Sequence, residues 1–289
     1  MNAGADPPAH LRRFAAIDWS GARGHRHRGI AVAVAQAGDA APVPVPPPGG
    51  CWSRQAVLDW VLLHADAPML IGFDFSFSAP FLDRAAHLPG EPFTEDAPAL
   101  WRWVDQNSTD ADLGAAGFVD ARRGLHVYGG AADGPKAQFL RYRRCETAIA
   151  ATGGGRPSSI FDAVGAAQVA KASFAGMRLL DRLRGIVPVW PIDPIPAAGA
   201  LIVEIYPALA ARTAGLGRGK LRSAAVLDQA LAAMGSAPHA PLARYDDHST
   251  DALLTAAWLR ANAARPPLWS PAGLTREIAQ TEGWIFGVE

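Results

Sequence analysis

Four acidic residues follow or interrupt strongly apolar segments of the sequence. Asp18 ends the run FAAID, and Asp74 ends the run LIGFD. Glu204 lies inside LIVEIYP, and Asp251 opens the helical pattern DALLTAAWL. Burying a carboxylate in such surroundings without a partner costs free energy, so its presence there indicates a catalytic or metal-binding role. We therefore take these four residues as the candidate catalytic and metal-binding set.

Binding of a divalent metal ion is the chemistry that suits such a set. Carboxylates that meet at one edge of a sheet repel one another unless a cation lies between them. Mg²⁺ and Mn²⁺ prefer oxygen ligands, and two such ions about 3.5–4 Å apart can hold the attacking water and the leaving oxygen of a phosphodiester. The four residues therefore predict a Mg²⁺- or Mn²⁺-dependent nuclease or phosphodiesterase.

Each carboxylate also has an ordinary structural explanation. Asp18 precedes Ser-Gly and could organise a turn, and Asp74 could cap a reversal of the chain. Glu204 could pair with an arginine, and Asp251 could stabilise the first turn of a helix. His248 could be a proton shuttle, although a solvated histidine at a helix end fits the sequence equally well.

The segment KAQFLRYRRCE is the best candidate for binding the phosphate of a substrate. It mixes basic and aromatic residues, as surfaces that bind single strands do. It could equally form a solvated face that pairs with Glu146. The candidate substrate-binding residues are Lys136, Arg141, Arg143 and Arg144. The turn GARGHRHRG could also meet phosphate, but exposed turns are often basic without a functional role.

Composition limits the classes of protein that the sequence can encode. The chain has 289 residues, of which 49% are hydrophobic, and a formal net charge of +0. This balance does not favour avid, non-specific binding of nucleic acid. Cys51 and Cys145 form no metal-ligand or disulfide pattern, and no apolar run has the ~18 residues that a membrane span needs. We expect a cytoplasmic protein with no membrane partner.

The apolar periodicity predicts an α/β fold. RFAAIDWS and GIAVAVAQ predict an antiparallel hairpin, and LIGFDF and LIVEIYP predict further strands. SSIFDAVGAAQVAKASFAGMRLLDRLRG predicts one long helix that ends at Gly185, and DDHSTDALLTAAWLRANAAR predicts another. The expected architecture is a mixed sheet flanked by helices.

The periodicity is lost between Leu82 and Pro157, a segment too long for a loop in a compact domain. We predict that residues 82–157 form an inserted lobe or cap. The core is then predicted to comprise residues 13–81 and 158–289, preceded by a flexible tail at residues 1–12.

Six segments carry a resemblance to a known family. In order, they are AIDWSGA, IGFDFSFSAP, SSIFDAVGAAQVAKASFAGM, VEIYPALA, STDALLTAAWLRA and EGWIFGV. Together they resemble the domain-of-unknown-function 429 family, whose members are predicted nucleases with a ribonuclease H-like fold. The resemblance implies that Asp18 is the first-strand aspartate of a ribonuclease H-like site. It also implies that Asp74, Glu204 and Asp251 fill the later acidic positions and that divalent metal is bound there.

Two other functions stay open at this point. An ATP-dependent phosphotransferase of the actin-like or sugar-kinase type has a related fold, and DWSGARG is vaguely similar to its phosphate-binding hairpin. A second Gly-rich hairpin is missing from the C-terminal half of the chain. A non-catalytic binding protein could keep the fold and lose the metal. For the nuclease, the expected partner is nucleic acid or a small phosphodiester, and the sequence does not specify the oligomeric state.

Overall fold

The computed structural model describes residues 6–125, 140–152, 157–163, 169–216 and 221–289, and the structural statements below concern these residues. Within them, short runs of apolar residues form five strands of one sheet. The strands are Arg13–Asp18 (β1), Ala31–Gln36 (β2), Val43–Pro44 (β3), Met69–Phe73 (β4) and Leu201–Glu204 (β5).

The sheet is mixed and open. Its strands lie in the order β3-β2-β1-β4-β5. β2 runs antiparallel to both β1 and β3, whereas β4 is parallel to β1 and β5 is parallel to β4. Pro44 lies in the edge strand β3, where the absence of a backbone N–H is tolerated. This arrangement confirms the predicted α/β class.

The described α-helices cover both faces of this sheet, and none of them is long and apolar enough to span a bilayer. Their bounds are Arg54–Leu63 (α1), Ala97–Gln106 (α2), Ala116–Ala121 (α3), Arg144–Ala151 (α4), Ala170–Leu183 (α5), Pro207–Thr213 (α6), Ala224–Ala233 (α7), Asp247–Asn262 (α8), Pro266–Trp269 (α9) and Arg276–Thr281 (α10).

Alternation along the strands divides the apolar core into two layers. Ala15 and Ile17 of β1 face the layer that contains α1, α2 and α5. Phe14 and Ala16 face the opposite layer, which contains α7 and α8. Successive side chains of a strand point to opposite faces, so a fully apolar strand is buried on both sides. The sheet is therefore the middle of three layers.

Helix α8 lies directly against β1 and β2. Asp246 caps its start by accepting a hydrogen bond from the Ser249 N–H at 2.9 Å. Ala252, Ala256 and other small residues on this helix are buried, which allows a close approach to the sheet. The first turns of α8 consequently lie beside the ends of the strands.

The long helix predicted from residue 158 begins only at Ala170, although it ends as predicted near Gly185, which has a φ of +73°. Residues 158–163 are not helical, and the N–H of Asp162 donates to the carbonyl of Ser159 in a turn there, whereas residues 164–168 lie outside the described part of the chain. The buried side chain of Phe161 anchors this turn in the core. The local helical pattern is thus overridden by tertiary packing.

Part of the predicted insert packs in the main core. Trp101 of α2 is buried and donates a hydrogen bond from Nε1 to the carbonyl of Phe77. Arg178 of α5 donates to Asp105 and to the carbonyl of Gly114. These contacts attach α2 and the start of α3 to α5. The division of the chain at residues 82 and 157 stays a prediction.

Candidate active site

Three of the four candidate carboxylates lie at one edge of the sheet because their strands run parallel. Asp18 ends β1, Glu204 ends β5, and Asp74 directly follows β4. The N–H of Asp74 donates to the carbonyl of Ile17 at 3.0 Å, which fixes it beside the end of β1. The carboxyl ends of parallel strands form the edge at which open α/β sheets bind ligands.

Asp251 approaches the same edge from helix α8. Burial raises the pKa of Asp74 well above its ordinary value, and the negative charges of the other three carboxylates raise it further. Such an effect requires Asp18, Glu204 and Asp251 to lie within electrostatic reach of Asp74. The backbone thus places Asp18, Asp74 and Glu204 at this edge, and the negative charge of Asp251 on α8 also acts on Asp74, which is partly exposed.

Asp18 has a histidine partner. Oδ1 of Asp18 accepts a hydrogen bond from Nδ1 of His248 at 2.9 Å. Burial raises the pKa of Asp18, which is only 9% exposed, while the bond to His248 opposes this rise. The same bond raises the pKa of His248, whose side chain is 46% exposed. Nδ1 is occupied by Asp18, and Nε2 has no hydrogen-bond partner within the described part of the chain.

Glu204 has a different environment, because both of its carboxylate oxygens are engaged. Nη1 of Arg143 donates to Oε2 at 2.7 Å, and Nη2 donates to Oε1. The N–H of Phe77 also donates to Oε2, at 2.9 Å. Nε of Arg143 donates in turn to Glu146 at 2.9 Å. All three charged side chains are buried, so Arg143 neutralises Glu204 inside the protein.

The candidate substrate-binding residues do not form one basic surface. Arg141 is buried and bonds to both carboxylate oxygens of Asp83 and to three backbone carbonyl groups. Arg143 holds Glu204, and Arg144 is exposed. Lys136 lies outside the described residues. The guanidinium groups of Arg141 and Arg143 already bond to oxygens of the protein, so we do not assign them to substrate binding.

Packing accounts for the Ser-Gly step that follows the first strand. A Cβ on Gly21 would overlap the backbone of Ala172 in α5, so only glycine fits there. The hydroxyl of Ser20 accepts a hydrogen bond from the N–H of Ala22 at 3.2 Å, and Arg54 donates to the Ser20 carbonyl. The turn is thus shaped by its contact with α5.

Tyr206 belongs to the site although no sequence motif singles it out. Burial raises the pKa of its hydroxyl, and the negative charge of Asp74 raises it further. It lies two residues beyond Glu204, and residues at this spacing share one side of an extended segment. That spacing is the signal by which Tyr206 could have been found.

The oxygen atoms of the candidate carboxylates are of the type that binds hard divalent cations. Asp18, Asp74 and Asp251 offer carboxylate oxygens, the ligands that Mg²⁺ and Mn²⁺ prefer. Burial first, and then the negative charges of neighbouring carboxylates, raise the pKa of Asp74, and a bound cation would offset both effects. Over the described ranges, however, no group of three or more His, Cys, Asp or Glu side chains already stands in the arrangement that holds a metal ion.

A scan against protein-family models, a search of curated proteins and a search of solved structures each gave no match for this chain.

Proposed function

We propose that this chain is a divalent-metal-dependent nuclease or phosphodiesterase. The observation that carries the proposal is that Asp18, Asp74 and Glu204 stand at the ends of three parallel strands, where negative charge raises the pKa of Asp74. Only Glu204 among them is neutralised by a buried arginine. Acidic groups that act on one another and have shifted pKa values are characteristic of functional sites.

A ribonuclease H-like core is part of this proposal. The strand order supports it, because such sheets combine three antiparallel strands with further strands parallel to the first. Asp18 on the first strand and Asp251 on a late helix also suit the acidic positions that the resemblance implies. On the same grounds we propose the relation to the domain-of-unknown-function 429 family.

Asp18, Asp74 and Asp251 are the residues that would hold Mg²⁺ or Mn²⁺. When bound, such an ion lowers the pKa of water and neutralises charge that develops on phosphate oxygens. Glu204 is left out of this set because Arg143 already engages both of its oxygens.

The remaining groups of the site handle protons. Asp18 accepts the Nδ1 proton of His248, which fixes the orientation of the imidazole and leaves Nε2 for proton exchange with substrate. The Tyr206 hydroxyl stays protonated near Asp74 and can donate a hydrogen bond to a phosphate oxygen.

Cleavage assays with and without metal test the proposal. Labelled single-stranded DNA, single-stranded RNA and bis(p-nitrophenyl) phosphate are incubated with the full chain in Mn²⁺ or in EDTA. We expect cleavage in Mn²⁺ only, and a loss of about 100-fold or more in Asp18→Asn. The matched control is Asp66→Asn, which changes an exposed aspartate before β4, at the opposite end of that strand. Cleavage that survives EDTA or the Asp18→Asn change would contradict the proposal.

A non-catalytic binding protein is the second candidate, and Arg143 favours it. This buried guanidinium neutralises Glu204 without any metal. Part of the negative charge at this edge of the sheet is therefore balanced by the protein itself. Under this alternative, no substrate is cleaved and Mn²⁺ leaves the melting temperature unchanged. A metal that binds the folded state at 100 times its Kd would instead stabilise it by about 2.7 kcal/mol.

A further inference from the structure

A cavity of about 360 Å³ opens next to the Asp18–His248 pair. It lies between β2, the proline-rich segment that contains β3, and the residues just before α1 and α8. Its size is within the range of small-molecule sites. The residues that line it include Arg28, Val32, Val45, Pro46, Trp52 and Arg244.

Two contacts join this cavity to the carboxylate edge. Ala31, which lines the cavity, lies opposite Asp18 in the register of β1 and β2. Gly29, the neighbour of the lining residue Arg28, lies against the imidazole of His248. A Cβ on Gly29 would be 3.4 Å from His248 Nε2. His248 thus stands beside residues that line or adjoin the cavity, and its neighbour Ser249 is itself a lining residue.

The walls of the cavity are mainly apolar and are held in shape by the fold. Val32 lies in β2, and Val45 and Pro46 continue the edge strand beside it. Trp52 is buried behind them. Proline fixes its backbone φ, so this side of the cavity needs little ordering when a ligand binds. Such a wall suits a flat apolar group such as a nucleobase.

The rim of the cavity carries two arginines with different surroundings. Arg244 is paired with Asp246 at 2.7 Å. Arg28 is exposed and, within the described ranges, has no ion-pair partner. It contrasts with Arg54, Arg141 and Arg143, whose guanidinium groups bond to protein oxygens. Arg28 thus offers a cation for a phosphate at the point where the cavity meets the His248 side of the site.

Building on the proposed function, we propose that this cavity is the subsite for a nucleotide, with the base against Val32 and Val45 and the phosphate beside Arg28 and His248. The cavity holds one nucleotide unit, either free or at the end of a strand. The formal net charge of +0 agrees with this choice, since binding along a duplex depends on many phosphate contacts from basic residues.

Calorimetric titration of the full chain in EDTA tests the subsite separately from metal-dependent cleavage. The probes are AMP, adenosine and inorganic phosphate. We expect AMP to bind about tenfold more tightly than either fragment. Arg28→Gln should weaken AMP about tenfold, and Val45→Trp should abolish its binding by filling the cavity. The matched control is Arg26→Gln, which changes an exposed arginine of the same turn that does not line the cavity.

Failure of AMP to bind, or equal AMP affinity in wild type, Arg28→Gln and Val45→Trp, overturns the subsite. These results leave the proposed function standing if bis(p-nitrophenyl) phosphate is still cleaved in Mn²⁺. Conversely, AMP binding that depends on Arg28, without any cleavage, supports the subsite and counts against the enzyme. A 5′-phosphorylated trinucleotide that binds as tightly as AMP supports a strand end as the ligand, and binding of AMP alone supports a free nucleotide.

Discussion

The buried acids beside β4 and those beside β5 differ in how their charge is neutralised. At the end of β5, Glu204 and Glu146 share one buried guanidinium, that of Arg143. Next to β4, Asp74 has no cation among the causes that shift its pKa, and the surrounding acids raise it. The first arrangement stabilises the fold, whereas the second is tolerable only when a proton or a bound cation is present. Two neighbouring strand ends thus carry similar acidic residues in different electrostatic environments.

Removal of the shared cation should have the largest effect. Arg143→Met leaves Glu204 and Glu146 buried without a positive partner, which costs about 3–5 kcal/mol of unfolding free energy. Urea unfolding measures this loss. Arg144→Met, which changes the exposed neighbour, should stay within ~0.5 kcal/mol of wild type. Similar losses in the two variants would show that the buried network is not what stabilises this edge.

Neutralising an acid should have opposite effects at the two strand ends. Glu204→Gln removes a charged acceptor from Arg143 and Phe77, so we expect a loss of about 2 kcal/mol in unfolding free energy. Urea unfolding at neutral pH in EDTA provides the measurement. A gain in stability would mean that Glu204 belongs with the uncompensated acids.

Asp74→Asn should instead stabilise the metal-free protein, by about 1 kcal/mol above neutral pH. The folded pKa of Asp74 is raised, so the folded state binds the proton more tightly than the unfolded chain does. Stability therefore falls as pH rises from the ordinary value of 3.8 towards the folded pKa, and it stays lower above that. Unfolding curves across this window should show a smaller decline in Asp74→Asn. A steeper decline in the variant would contradict the assignment.

The smallest expected effect concerns His248. Its folded pKa lies above the ordinary value of 6.5, so its stabilising contribution is present below pH 6.5 and is lost as pH rises through the folded pKa. Because the side chain is half exposed, solvent limits this contribution to a few tenths of a kcal/mol. NMR titration should show the raised pKa in wild type and a lower pKa in Asp18→Asn. An unchanged pKa in that variant would exclude Asp18 as its cause.

Local patterns predicted the strand that ends at Asp18 and the strand that Asp74 follows, because an apolar run before an acid is visible within a few residues. The helix that contains Asp251 was likewise predicted from its apolar periodicity and from the prolines that follow it. The helix predicted from residue 158 begins only at Ala170, and the hydroxyl of Ser159 in the non-helical stretch donates to the carbonyl of Arg141, 18 residues away. The assignment of Arg141 to substrate likewise could not anticipate Asp83, which lies 58 residues away.

The sequence by itself determined the α/β class and the positions of the acids at strand ends and at a helix start, because hydrophobic periodicity is a local property. Only the tertiary structure decided which acids are neutralised. Arg143 reaches Glu204 across 61 residues, and His248 reaches Asp18 across 230. The energy of a buried charge depends on the groups within a few ångströms of it, and folding alone brings those groups together.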